Sequence, residues 1–161
     1  MAPRFPLYID LKGNNCTIFG GGEAAASRAE VLLKFNAKIT VISPTLCDRL
    51  REMDEEGLIR YIPRKYFRGD CSSAYLCIAA TDDVSMNIAI SEECKAKSIP
   101  VNVTRPYEYG TFDFPAFCIE DDVTVSVSCV KNPEFADEIC SLISEELPEL
   151  LQATRRNRNK T

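Results

Sequence analysis

The sequence predicts an α/β fold in which a doubly wound, mostly parallel sheet is followed by a small β-strand segment and a C-terminal helix. Short apolar runs rich in β-branched residues alternate with helical segments as far as Val103. The run Ala74–Ala80 is continuously apolar, as in a parallel strand buried on both faces. After Val103 two strand-like runs follow each other with no helix predicted between them.

The first three elements form a strand–helix–strand unit. Cys16–Phe19 is a short apolar strand that ends directly in three glycines. Residues Glu23–Asn36 follow with apolar side chains at helical spacing, and the β-branched run Ile39–Ile42 is the second strand. This unit places the glycines between a strand and a helix.

The rest of the chain continues this alternation and then departs from it. The remaining predicted elements of the sheet are a helix over Leu46–Glu56, strands over Leu58–Ile62, Ala74–Ala80 and Pro100–Val103, and a helix over Val84–Lys97 capped by Thr81, Asp82 and Asp83. The last predicted elements are strands over Phe112–Cys118 and Val123–Cys129, a helix over Pro133–Leu151, and a frayed, solvated basic end over Arg155–Lys160.

Composition excludes several classes of function. The net charge of −5 over 161 residues is unlike the basic surface of a nucleic-acid-binding domain. We expect a cytoplasmic protein, because the sequence contains neither a membrane-spanning run nor the apolar core of a secretory signal. Its eight cysteines lack any C-x-x-C pair, and there is no histidine, so we expect free, buried thiols and no metal site.

The glycine run predicts a dinucleotide site. Gly20-Gly21-Gly22-Glu23-Ala24-Ala25 fits G-x-G-x-x-A, in which small residues allow a tight turn and bring a diphosphate close to backbone amides. The predicted cofactor is NAD. Its predicted contacts are the loop residues Gly20, Gly21, Gly22, Glu23 and Ala24, then Ser43, Pro44 and Thr45 after the second strand, and Ala80 and Thr81 after the fourth. No acidic residue stands at the ribose position, so the choice between NAD and NADP stays open.

Four motifs follow one another along the chain: Phe5–Leu11 leading into the glycine loop, Ala79-Ala80-Thr81-Asp82-Asp83, Val101-Asn102-Val103 and Phe114-Pro115-Ala116. In this order and spacing they resemble precorrin-2 dehydrogenase, the N-terminal module of siroheme synthase. The resemblance implies a Rossmann-like NAD-binding domain over residues 1–110, with dimerisation strands, a helix and a basic tail over 111–161. It implies a homodimer that oxidises precorrin-2 to sirohydrochlorin with NAD⁺ in siroheme or cobalamin biosynthesis.

The sequence departs from the family where chemistry is expected. Many members carry an aspartate, credited with proton handling and iron insertion, at the place where this chain has Arg105. Arginine stays protonated and cannot act as a base, so the catalytic residue is unknown and iron insertion is not expected. We expect the carboxylates of the substrate to be bound by four basic or polar residues, Asn102, Arg105, Ser128 and Lys131.

Three hypotheses for the function remain open. The first is an NAD-dependent precorrin-2 dehydrogenase, favoured by the intact glycine loop. The second is a non-catalytic relative that binds a dinucleotide or a tetrapyrrole as a carrier or partner in the pathway, favoured by Arg105 and by the altered segment Ser128–Pro133. The third is a small Rossmann protein that oxidises another substrate, since a fold does not fix a function.

Overall fold

The computed structural model describes residues 5–129 and 132–158, and the chain divides into two compact units, Met1–Phe112 and Asp113–Thr161. The first unit contains a five-stranded sheet in the order β3-β2-β1-β4-β5, and every neighbouring pair is parallel. Its strands are β1 (Asn15–Phe19), β2 (Lys38–Ile42), β3 (Ile59–Ile62), β4 (Leu76–Ala79) and β5 (Val101–Val103). The predicted doubly wound parallel sheet is confirmed.

Three helices connect these strands. Helix α1 (Glu23–Lys34) joins β1 to β2, α2 (Asp48–Glu55) joins β2 to β3, and α3 (Val84–Ala96) joins β4 to β5. Residues 63–75 join β3 to β4 as a loop of turns. The strand order changes direction between β1 and β4, and in open α/β sheets ligands bind at the carboxyl ends of strands at such a point.

Helices α1 and α3 end slightly before their predicted limits because a left-handed residue follows each. Asn36 and Ser98 both have φ of 56°, a conformation that cannot continue a right-handed helix. After α2 the same role falls to Gly57, with φ of 71°. The chain therefore turns back toward the sheet within a few residues of each helix end.

The core of the first unit lies on both faces of the central strands. Phe19, Ile18 and Ile78 are fully buried there. On the face that α3 covers, Phe19 joins a cluster that includes Cys71, Cys77, Ile90, Cys94, Val101 and Val103. The core therefore extends to the carboxyl ends of β1 and β4.

The second unit is a strand pair with one long helix. Strands β6 (Ala116–Glu120) and β7 (Val123–Val127) pair antiparallel around a turn in which Asp121 has φ of 54°. Both strands are shorter than predicted. β6 begins only after Pro115, a residue that has no backbone N–H to donate to a strand partner.

The C-terminal helix corrects the prediction of a frayed basic end. Helix α4 (Pro133–Arg158) continues beyond Leu151, the predicted limit, so Arg155 to Arg158 are helical. The Arg155 guanidinium lies 2.9 Å from the Asp121 carboxylate and 3.7 Å from that of Asp122. The carboxylates of this turn therefore pair with the first arginine of the basic run. Residues 159–160 lie outside the described part. Among the described residues, no helix combines the length and apolarity needed to cross a bilayer.

Candidate functional site

A cavity of about 530 Å³ opens at the carboxyl ends of β1, β2 and β4. Its lining consists of Gly20, Gly21, Gly22, Ile42, Ser43, Pro44, Thr45, Leu46, Cys47, Lys65, Tyr66, Ala80, Thr81, Asp82, Asp83 and Met86. Of the ten predicted cofactor contacts, all except Glu23 and Ala24 line it. The cavity lies entirely within the first unit, at the position where a doubly wound sheet binds its ligand.

Gly20, directly after β1, lies close to the segment that ends β4. Its φ of 121° belongs to the region that favours glycine, and a Cβ built there would lie 2.2 Å from the carbonyl oxygen of Ala80. The amide of Gly20 donates to the Ile42 carbonyl at 3.0 Å, and the amide of Ala80 donates to the Phe19 carbonyl at 2.7 Å. These contacts bring the ends of the three strands together.

Gly21 allows the segment after β2 to approach the glycine loop equally closely. A Cβ at Gly21 would lie 1.8 Å from the Thr45 carbonyl oxygen and 2.8 Å from Ser43 Oγ. The Gly21 carbonyl accepts a hydrogen bond from the Cys47 amide at 2.7 Å. The segment 43–47 is therefore packed directly on the glycine loop and forms one wall of the cavity.

Gly22 differs from both, because its Cα faces open space. A Cβ at Gly22 would meet nothing within 4 Å, and the residue is the N-cap of α1 without any side-chain cap. The first amides of a helix have no partner within that helix and carry partial positive charge. Uncapped amides beside open space fit the diphosphate bridge of a dinucleotide.

Glu23 and Ala24 lie on α1 outside the cavity lining. The Glu23 carboxylate accepts a hydrogen bond from Arg49 at 2.7 Å, and this bond lowers the pKa of Glu23. Arg49 also donates to Glu30 at 3.0 Å and so holds α2 against α1. Side-chain roles for Glu23 and Ala24 have no support in this geometry, and contacts through their backbone amides stay a prediction.

Asn87 secures the edge of the cavity at Thr81. Its Oδ1 accepts from the Thr81 amide at 3.1 Å and from the Thr81 hydroxyl at 2.7 Å. Its Nδ2 donates to the Thr81 carbonyl at 2.9 Å and to the Arg105 carbonyl at 2.8 Å. A single, fully buried amide therefore joins the segment after β4 to the segment after β5. Asp83 caps α3 as predicted, accepting from the Met86 amide.

Sequence reasoning did not single out Asn87, although a signal for it exists. Helical spacing places residue 87 on the same face as Ile90 and Cys94, which are buried. A polar side chain on a buried helix face needs hydrogen-bond partners, because an unpaired buried amide is costly. Such a residue at the first turn of a helix beside a ligand-binding edge is a candidate positioning group.

Lys65 and Tyr66 form a further wall of the cavity, and sequence reasoning did not single out Tyr66. The Tyr66 hydroxyl donates to the Glu93 carboxylate at 2.5 Å, and the Gly69 amide donates to the same carboxylate at 2.9 Å. Burial raises the pKa of Glu93, but the Lys97 ion pair at 2.8 Å and these hydrogen bonds outweigh it and lower the pKa to about 2. Burial and the neighbouring Glu93 raise the pKa of Tyr66, so it stays a neutral phenol.

Of the four predicted substrate contacts, the three that lie within the described residues do not line this cavity. Asn102 is buried in β5, where its Nδ2 donates to the Phe112 carbonyl at 3.0 Å. Its Oδ1 is buried and has no hydrogen-bond partner among the described residues. The side chain of Arg105 is exposed, as is Ser128 in the second unit, and Lys131 lies outside the described residues. Substrate binding by these residues stays a prediction.

Comparison with known proteins places the chain among nucleotide-binding domains. A family model described as "Putative NAD(P)-binding" matches residues 7–116. The siroheme synthase of Pseudoalteromonas atlantica is 36% identical over 124 residues, which are 77% of this chain and 27% of that protein. The siroheme synthase of Photorhabdus laumondii is 32% identical over 149 residues, 92% of this chain and 31% of that protein. The chain thus spans under a third of the length of these relatives.

A solved structure shares the fold. It is that of SirC, a precorrin-2 dehydrogenase, which superposes with a TM-score of 0.75 at 24% identity and covers 89% of this chain and 71% of its own. The architecture predicted from sequence, with parallel sheet, strand pair and terminal helix, is confirmed. The cofactor prediction, NAD, is confirmed at the level of the family, since the matched model is that of an NAD(P)-binding domain.

Proposed function

This chain belongs to the NAD(P)-binding family of precorrin-2 dehydrogenases and siroheme synthase N-terminal regions, and on that premise we propose that it oxidises precorrin-2 to sirohydrochlorin with NAD⁺. The observation that carries the proposal is the open space at Gly22 above the uncapped start of α1. Here a diphosphate can lie against the first amides of a helix without displacing a side chain. We propose that this reaction serves siroheme or cobalamin biosynthesis.

The reaction removes a hydride and a proton from precorrin-2. Bound NAD⁺ supplies the hydride acceptor, so the chain has to hold two reactants in register rather than form a covalent intermediate. Gly20 and Gly21 fix the strand ends and the segment 43–47 around the cofactor, and Asn87 fixes the edge at Thr81. The exposed cation Lys65, which lines the cavity, is available to the carboxylates of the substrate.

We propose that the proton leaves to water. Arg105 stands at the family's acid position, and a guanidinium does not act as a base. The Asp83 carboxylate is already engaged as the helix cap, and Asp82 lines the cavity on its exposed rim. Water at this open rim can therefore take the proton without a dedicated base. We do not propose iron insertion, because the family's acid is replaced.

The second candidate function is that of a carrier that binds the nucleotide or the tetrapyrrole without turnover. Arg105 favours it, because the replacement removes the only side chain to which the family resemblance assigns proton handling. The two candidates make opposite predictions for one assay.

Purified protein mixed with precorrin-2 and NAD⁺ without oxygen should form sirohydrochlorin and NADH in equal amounts. Absorbance follows both products, and isothermal titration measures NAD⁺ binding in the same preparation. The matched control is Gly22→Asp, which should form neither product because its cofactor site is blocked. Measurable NAD⁺ binding without turnover would eliminate the dehydrogenase and leave the carrier.

We further propose that the chain acts as a homodimer through its second unit. Ile119 on β6 and Leu142 and Leu150 on α4 are exposed apolar side chains, of the kind that subunit interfaces cover. Light scattering is expected to give a mass twice that of the 18.0 kDa chain. A monomer at micromolar concentration would contradict this proposal without affecting the cofactor site.

A further inference from the structure

Three of the eight cysteines converge in the core of the first unit, and none of the three lines the nucleotide cavity. Cys71 comes from the loop 63–75, Cys77 from β4 and Cys94 from α3. Their sulfur atoms all lie within 4.8 Å of one another, and all three residues have 0% exposure. The absence of any C-x-x-C pair led sequence analysis to expect scattered thiols, but segments distant in sequence bring these three together.

We propose that Cys71, Cys77 and Cys94 form a three-coordinate thiolate site for one soft monovalent metal ion of the Cu(I) type. Three sulfurs bonded at about 2.3 Å around a central ion lie about 4 Å apart, so the observed spacing needs only small side-chain movements. Thiolates select soft ions. Among the described residues the group offers three ligands, which suits Cu(I), whereas a structural Zn²⁺ site takes four.

The surroundings favour a bound cation over three separate apolar thiols. The three sulfur atoms lie close enough together to bond to one central ion. A positive ion at that centre would offset the cost of burying thiolate charge. The ammonium of Lys97 lies at the edge of this region, where it bonds to Ser72, the neighbour of Cys71, and to Glu93, the neighbour of Cys94.

The loop position of Cys71 gives the ion a route to this buried place. Cys71 lies in successive turns closed by the Ser72 amide on the Gly69 carbonyl, at 3.1 Å, and by the Ala74 amide on the Cys71 carbonyl, at 3.0 Å. Opening these turns exposes the cluster while Cys77 and Cys94 stay on the sheet and the helix. A bound ion would then tie the loop, which also carries Tyr66 of the cavity wall, to both elements.

The test is a Cu(I) titration of the full chain, reduced and free of oxygen, against the coloured competitor bicinchoninate. We expect one tightly held Cu(I) per chain, three sulfur neighbours by X-ray absorption, and a higher melting temperature with the ion bound. Cys94→Ala should bind Cu(I) at least about 100-fold more weakly, since loss even of groups that only support ligands costs 10–100-fold. Cys16→Ala, which removes an equally buried thiol on β1, should bind as the wild type does.

Several results would overturn the proposal. These are equal Cu(I) affinity in Cys94→Ala and wild type, a two-sulfur coordination shell, or tighter binding of Zn²⁺ than of Cu(I). If Cys94→Ala fails to fold, Cys71→Ala on the loop takes its place. Alkylation of the wild type gives a readout without any variant, because Cu(I) should protect these three cysteines and not Cys47, Cys118 or Cys129. The site is independent of the proposed oxidation, so neither result decides the other.

Discussion

A Gly22→Asp variant is expected to bind NAD⁺ at least about 100-fold more weakly than the wild type while keeping its fold. The new carboxylate would lie beside the diphosphate, and two like charges about 4 Å apart repel by about 4 kcal/mol at an effective dielectric constant of 20. The fold should tolerate the change, because the side chain enters open space at a backbone φ of −91°. Aspartate is moreover a favoured helix N-cap, so thermal stability should be equal or higher.

Gly22→Asn is the matched control for this variant. Asparagine has the same shape as aspartate and is an equally good N-cap, but it carries no charge. Isothermal titration of NAD⁺ should therefore rank the wild type first, Gly22→Asn second and Gly22→Asp last. Wild-type affinity in a folded Gly22→Asp protein would place the cofactor elsewhere. Equal losses in both variants would show that the exclusion is steric rather than electrostatic.

Asn87→Ala is expected to lower both stability and cofactor affinity. The change removes four part-buried hydrogen bonds and leaves the backbone amide and carbonyl of Thr81 and the Arg105 carbonyl without this partner, while the Thr81 hydroxyl keeps its bond to the Asp83 carbonyl. We expect a loss of about 3 kcal/mol in the free energy of unfolding, since each unsatisfied buried group costs about 1–3 kcal/mol. For a chain of this size the melting temperature should fall by roughly 6–12 °C.

Ser91→Ala separates the local effect of Asn87 from a general weakening of α3. Ser91 is also fully buried on that helix, and its hydroxyl makes one hydrogen bond, to the Tyr109 carbonyl at 2.7 Å. Its loss should cost about 1 kcal/mol and leave NAD⁺ affinity unchanged. If both variants lower affinity equally after correction for the unfolded fraction, Asn87 has no special role in positioning Thr81. Urea unfolding and NAD⁺ titration supply both numbers.

The sheet and the glycine loop could be predicted because both depend on local signals. A short, continuously apolar run such as Leu76–Ala79, followed by a helix cap, is typical of a parallel strand buried on both faces. Gly20 and Gly21 identify a close backbone approach, and the order of the strands then places Ser43 and Thr81 beside them. Each inference needs only a window of neighbours and the general rule for parallel sheets.

Features that depend on distant contacts could not be predicted in this way. Tyr66 lines the cavity because Glu93, 27 residues away, holds its hydroxyl. The three-cysteine cluster forms because the loop 63–75 folds over α3, and no periodic pattern encodes that packing. The sequence predicts a frayed end over Arg155–Lys160 because this is a terminal charge run, and no local pattern reveals the bond from Arg155 to Asp121, 34 residues away. In each case the sequence does not show which distant side chain contacts the residue in question.

Gly20 and Gly21 meet backbone carbonyl oxygens as their nearest neighbours, those of Ala80 and Thr45. Every amino acid carries the same carbonyl, so no substitution at position 80 or 45 can make room for a side chain at either glycine. The requirement for glycine at positions 20 and 21 therefore follows from the path of the backbone. It holds whatever side chains surround these positions. A descendant of this protein could exchange every other residue of the cavity and still be recognisable by this pair.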